Sequence, residues 1–264
     1  MPDSVERSPL TSADSARSII IDSPFDEFVR KYGTIQRRGI FGYLVHHLGR
    51  SIISGQYPIG GILPNEPELV ARFGVSRTVV REAMKCLAGK GLVEIKTRVG
   101  TRVRPQGNWH NTDTDVMVWY YETGPSAEFM RNIKDIRSTL EPEASTRAAL
   151  RGTAEQHTRI AAAYEQMVEA GDTLHDFVLA DLEFHGAIFR ATDNPLFSQL
   201  FDLVAVGVFA NSPMLSKLNV KVTDWGALEM HKAMLDAILK RDGEAAAAAT
   251  RIVLDAWKVD LLGR

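Results

Sequence analysis

Apolar positions recur at helical spacing from about residue 40 onward, and no period is sustained before that. Residues 1 to 35 are polar with Ser-rich stretches and read as a flexible arm, with a short turn around Phe25 to Tyr32. A first helix is predicted over Ile40 to Ser54, ended by Gly55, with a loop from Gln56 to Gly61. A short helix follows over Glu66 to Phe73, carrying Pro67 in its tolerant first turn. Gly74 makes a tight turn, and Ser76 is an N-cap for a longer helix to about Gly89. In that helix Val80, Ala83, Met84 and Leu87 fall at i, i+3, i+4 and i+7 and should pack inward. Leu92 to Lys96 then alternates like a strand, Thr97 to Gly100 turns, and Thr101 to Arg104 is a second short strand. Three helices and a small hairpin is the order of a winged helix-turn-helix, placed at residues 36–104.

Residues 105–125 read as a linker with aromatic anchors at Trp109, Trp119, Tyr120 and Tyr121. Beyond it the pattern is helical throughout, with candidate helices at 126–150, 153–170, 173–192, 195–212, 224–241 and 243–262. Short connections between long amphipathic helices imply an antiparallel bundle over 126–264. The expected fold is therefore mainly α, a winged helix-turn-helix head followed by an all-α bundle.

Composition narrows the class. The 264 residues are 45% hydrophobic, enough for sizeable cores and against a mostly disordered chain. The longest apolar run, Leu203 to Ala210, is far short of the roughly 20 residues that span a bilayer. The N-terminus lacks the apolar core of a signal peptide, and the single cysteine, Cys86, excludes an internal disulfide framework. A cytoplasmic protein without membrane association is the expectation. Charge is divided unevenly. Residues 36–104 hold 12 Lys/Arg against 4 Asp/Glu, a balance of +8 that leaves −10 elsewhere in a chain of net charge −2. A basic module joined to an acidic one points to a polyanion reader with a different partner domain.

The helix opening at Ser76 presents Arg77, Arg81 and Lys85 at steps of four, with Thr78 beside them. Such a face can reach base edges and phosphates together, and an Arg fork matches the two acceptors of guanine. An ordinary solvated helix surface would carry similar charges, but the element order and the basic balance favour nucleic acid. The stretch Leu63-Pro64-Asn65-Glu66-Pro67-Glu68-Leu69, then Phe73-Gly74-Val75-Ser76-Arg77-Thr78-Val79-Val80-Arg81-Glu82-Ala83, then Gly91-Leu92-Val93 and Gly100-Thr101-Arg102-Val103, resembles the head of GntR-superfamily transcription regulators. That resemblance implies binding to a double-stranded DNA operator through Arg77, Thr78 and Arg81, with the wing at Thr97 and Arg98. Pro67 departs from the pattern, standing where members often carry a polar or basic residue.

Three apolar stripes in the second half carry ionisable groups. Phe177, Ala180, Phe184 and Ile188 mark the inner face of one helix, and Asp181 and His185 share it at i, i+4. His231 shares a stripe with Met234, Leu235 and Ile238 on another. One carboxylate and two imidazoles from two helices suit a divalent transition metal with open positions. An Asp–His hydrogen bond within the bundle explains the pair as well. Arg137 lies on the inner face marked by Met130, Ile133, Leu140 and Ala144. A buried Arg needs an anion, either Glu141 one turn on or the carboxylate of a ligand.

Arg137-Ser138-Thr139-Leu140-Glu141-Pro142, Ala180-Asp181-Leu182-Glu183-Phe184-His185, Asn194-Pro195-Leu196 and Glu229-Met230-His231-Lys232 together resemble the FCD (FadR C-terminal) domain. The resemblance implies a dimerising all-α bundle of six or seven helices that holds a small carboxylate effector, often beside a metal such as zinc, nickel or manganese. The metal form uses one Asp and three His. Asp181, His185 and His231 match three of these, and Val253 stands at the fourth. The stretch Trp109 to Trp119 resembles that of sugar-acid regulators in this group, such as galactonate repressors, and tilts the effector toward an aldonate. The function implied is a homodimeric, metabolite-responsive repressor reading a pseudo-palindromic operator. Two alternatives are a bundle metalloenzyme with a DNA-binding head, for which no general base or nucleophilic arrangement is evident, and a metal-free regulator responsive to acyl-CoA.

Overall fold

The computed structural model describes residues 39–96, 98–210 and 226–256. The arm expected at 1–35 and the wing residue Thr97 lie outside the described residues. The chain divides into two compact units at the Thr123–Gly124 junction.

The first unit opens with α1 (Ile40–Ile53), whose Leu44, Val45, Leu48 and Ile52 are fully buried along one stripe. α2 (Glu66–Phe73) starts in a capping box. Asn65 accepts from the amide of Glu68, and the Glu68 carboxylate accepts from the amide of Asn65. Gly74, at φ +65°, ends α2 in the left-handed conformation and lets the chain turn directly into α3 (Arg77–Gly89). Ser76 caps α3, and Val80, Ala83, Met84 and Leu87 are buried beneath it. β1 (Val93–Lys96) and β2 (Gly100–Val103) pair antiparallel, Val93 opposite Val103 and Lys96 opposite Gly100. Ile62 adds a bridge to Arg102, so the loop before α2 forms a short third edge.

The segment expected as a linker is ordered differently. Its centre forms α4 (Thr114–Glu122), and the whole of it up to Thr123 falls within the first unit. Asp113 caps α4 and also meets Lys90 at 2.8 Å, while Asp115 meets Lys90 at 2.7 Å. Lys90 and Asp115 are buried, so the pair is shielded from salt. Trp119 lies against Gly49 of α1, where a Cβ would come within 2.6 Å of the indole. Its Nε1 donates to His46 Nδ1 at 3.0 Å. Of the aromatic anchors of this stretch, Trp109 and Trp119 are thus buried in the head, and Tyr120 and Tyr121 are half-buried. The apolar run Val116 to Trp119 lacks a one-sided pattern because nearly all of it is buried.

The second unit is a bundle of α5 (Ala127–Arg151), α6 (Ala154–Ala170), α7 (Leu174–Arg190), α8 (Pro195–Gln199), α9 (Phe201–Ala210), α10 (Ala227–Leu239) and α11 (Gly243–Ala256). α5 packs on α7, α9, α10 and α11, and α6 packs on α7 and α10. The helix expected over 195–212 is two pieces that break at Leu200. Asn194 caps the first through Leu196 and Phe197, and Pro195 takes its N1 position. The ends expected at 211–212, 224–225 and 257–262 lie outside the described residues. Among the described residues, no helix is long and apolar enough to cross a membrane.

Candidate functional site

On the head, Arg77, Thr78, Arg81 and Lys85 are all exposed on α3, opposite the stripe that packs inward. Arg81 is not unattached. Its Nε donates to Glu66 Oε1 at 2.8 Å, from the first turn of α2. The bond lowers the Glu66 pKa and raises that of Arg81. Lys85 pairs with Glu82 at 2.9 Å. Arg98 is exposed at the wing tip and adopts φ +65°, a left-handed conformation unusual for a side chain of that size. Pro67 takes an early helical position in α2, where a missing N–H costs nothing. Sequence reasoning missed Glu66, because its partner lies on the next helix and no spacing rule links them.

In the bundle, the structure brings Asp181 and His185 of α7 together with His231 of α10. Their ligand atoms lie within 4.8 Å of one another, and all three residues are buried. His231 Nε2 is 3.0 Å from Asp181 Oδ1, and His185 Nε2 is 3.4 Å from both. Each ring has a polar neighbour at its other nitrogen. His231 Nδ1 sits 2.7 Å from the Ala227 carbonyl, which only accepts, so Nδ1 carries the hydrogen. His185 Nδ1 sits 3.0 Å from Glu141 Oε2, on α5. Phe184 stands edge-on to both rings and closes the cluster on its apolar side.

This arrangement leaves an imbalance that a cation resolves. A neutral His231 with its hydrogen on Nδ1 has only a lone pair at Nε2, and that lone pair faces an oxygen of Asp181. Asp181 Oδ1 correspondingly has no hydrogen-bond partner among the described residues. A buried carboxylate oxygen against a nitrogen lone pair is unfavourable until a proton or a metal ion stands between them. The donor set, two imidazoles and one carboxylate, suits a borderline divalent ion, and both rings have the outer partner that metal-bound histidines use. Val253 is fully buried on α11 and offers no ligand atom.

Charge follows the same geometry. Burial opposes ionisation of Asp181, but the charge of the neighbouring His185 outweighs it and holds its carboxyl far below the ordinary range. Burial likewise opposes a charged His185, yet Glu141 and Asp181 raise it to about 9. Glu141, against the same burial penalty, is lowered to about 2 by Arg137 and His185.

Arg137 is buried on α5, with Nε donating to Glu141 Oε1 at 2.5 Å. Its Nη2 has no partner among the described residues. Gly207 of α9 makes room for this side chain, since a Cβ there would come within 2.7 Å of Arg137 Cδ. Arg137 therefore satisfies the internal pairing with Glu141 and still offers an unused donor.

A protein-family model described as the FCD domain matches residues 132–256, and one described as bacterial regulatory proteins of the gntR family matches residues 43–103. The chain is 35% identical over 216 residues to YieP of Escherichia coli K12, an uncharacterised helix-turn-helix-type transcriptional regulator, covering 80% of this chain and 90% of that one. It is 32% identical over 209 residues to the galactonate operon transcriptional repressor of the same organism, covering 78% and 90%. The Glc operon transcriptional activator, also from Escherichia coli K12, is 30% identical over 185 residues, covering 67% and 71%. The solved structure of Lar, which controls the expression of the Listeria monocytogenes agr system, has a similar fold. Its TM-score is 0.57 at 15% identity, covering 84% of this chain and 96% of that one.

Proposed function

This chain belongs to the GntR family of bacterial regulatory proteins and carries an FCD domain, and on that premise we propose that it is a metal-assisted, sugar-acid-responsive repressor. It is a DNA-binding transcriptional regulator and not an enzyme, as the known proteins it matches are regulators. In the proposed reading Asp181, His185 and His231 hold one divalent cation, zinc, nickel or manganese. The cation supplies a Lewis-acidic point for a carboxylate and a neighbouring hydroxyl. Arg137 offers Nη2 to the same anion.

The observation that carries this reading is the buried Asp181 oxygen without a hydrogen-bond partner, facing the lone pair of His231 at 3.0 Å. Val253 in place of a fourth ligand leaves one more position for the effector's own oxygens. Similarity to a galactonate operon repressor supports an aldonate as the effector class and repression as the mode. On the DNA side, Arg77, Thr78, Arg81, Thr97 and Arg98 contact the operator, and a homodimer matches a pseudo-palindromic site.

A thermal-shift series tests the reading. Full-length protein, stripped of metal, is melted with a panel of aldonates, with and without zinc, nickel or manganese. Binding to the folded state raises the melting temperature. The proposal expects an aldonate whose shift requires the metal. Equal shifts in metal-free protein would remove the cation from effector binding.

A further inference from the structure

Glu141 is among the most buried charged side chains of the bundle, at 1% exposure, and it is shared. Its Oε1 accepts from Arg137 Nε at 2.5 Å, and its Oε2 lies 3.0 Å from His185 Nδ1. One oxygen takes the Arg137 hydrogen bond and the other stands at ion-pair distance from the His185 ring. Arg137 is one turn away on α5 and lies against Gly207 of α9, whereas His185 comes from α7. The carboxylate is thus anchored on its own helix on one side and meets a candidate metal ligand on the other.

We propose that Glu141 is the positioning residue of the cation site. It keeps the hydrogen of His185 on Nδ1 and holds the ring so that Nε2 faces Asp181 and His231, while Arg137 fixes the carboxylate from behind. Outer-sphere carboxylates of this kind select the tautomer of a metal-bound histidine and raise its basicity. The approach of Oε2 to His185 Nδ1 is at ion-pair distance, 3.0 Å, without an aligned hydrogen bond, and Oε2 has no other hydrogen-bond partner among the described residues. This inference rests on the cation reading of Asp181, His185 and His231, and it makes a claim about a residue that touches no metal.

The substitution E141Q separates the two donors. A carboxamide has one acceptor oxygen and one NH2 group, so it can serve Arg137 or His185 but must turn a donor toward the other. E141D keeps the charge but retracts it from one of the two neighbours. Full-length protein without a His-tag is titrated with zinc against a competing chelator, and with cobalt(II) to read the visible ligand-field spectrum. Melting of each metal-free variant is recorded alongside.

The expected result is zinc affinity weakened roughly tenfold to a hundredfold in E141Q, with a changed cobalt spectrum. E141D should lose less. A folded E141Q with zinc affinity within threefold of wild type and an unchanged cobalt spectrum would overturn the role of Glu141 while leaving the cation site standing. If E141Q does not fold, E141D decides alone, and wild-type affinity and spectrum in it overturn the proposal. Wild-type protein that takes neither zinc nor cobalt overturns the cation reading itself and this inference with it.

Discussion

The guanidinium of Arg81 on α3 is tethered to the carboxylate of Glu66 on α2, Nε to Oε1 at 2.8 Å. The bond occupies one nitrogen of the fork and leaves the two terminal nitrogens for the proposed operator contact. A long side chain that enters an interface already oriented loses less freedom on binding.

Arg77→Ala and Arg81→Ala should each weaken operator binding roughly tenfold to a hundredfold, the range for losing an Arg–base contact. Glu66→Ala should lower the ratio of operator to non-operator affinity, because Arg81 loses its tether while a negative charge near the proposed DNA contact is removed. Anisotropy titrations at fixed salt with both DNAs measure this. An unchanged ratio would show that the Glu66 contact has no part in recognition.

A second prediction concerns the seating of α4 on the head. Gly49→Ala places a methyl group within 2.6 Å of the Trp119 ring, and the indole is buried with its Nε1 bonded to His46. Overpacking of this kind costs about 1–3 kcal/mol. Chemical denaturation followed by Trp fluorescence should show that loss. Stability equal to wild type would mean that α4 can move off α1 without cost.

Much of this architecture was legible in the sequence. The Ser76 cap, the Gly74 turn and the Val80–Leu87 stripe are local signals, and each element they predict is present, whereas the Asn65 capping box was read only from the structure. The convergence of Asp181 and His185 was equally local, at i, i+4. What the sequence hid is long-range. α4 has no amphipathic pattern because nearly all of Val116 to Trp119 is buried, and its lock on Lys90 joins residues far apart in the chain. The break at Leu200 escaped for the opposite reason, since apolar residues continue across it and no Gly or Pro marks it. Glu141 was visible as a partner for Arg137, one turn away, but nothing local pairs it with His185.

The third prediction is a pH dependence. In metal-free protein His185 is raised from 6.5 to about 9. Its contribution to stability is therefore complete below about pH 6.5 and is lost as the pH rises through 9. Glu141 is lowered from 4.5 to about 2, and Asp181 is lowered too, so their contribution is present above the ordinary carboxylate range and is lost as the pH falls. Metal-free protein should be most stable between these limits, near pH 5–6 on this account. Metal must displace the His185 proton, so zinc affinity should rise about tenfold per pH unit at neutrality. Chelator competition across pH 6.5–8 would contradict the account if affinity stayed flat.

A fourth prediction follows from the ligand count. His231→Ala leaves Asp181 and His185 as the only protein ligands of the proposed set, and two rarely hold a transition metal firmly. Metal content after gel filtration should fall to background. Retention of one equivalent would place the ion elsewhere.

The central claim is that an acid bound in the bundle controls the grip on DNA. Coupling requires the ligand to favour one state of the protein over the other, and linkage makes the effect reciprocal. Calorimetric titration of an aldonate into metal-loaded protein, free and bound to operator, measures it directly. The account predicts that operator DNA weakens aldonate binding by the same factor by which the aldonate weakens operator binding. Equal aldonate affinities in the two titrations would contradict it, however tightly the acid bound.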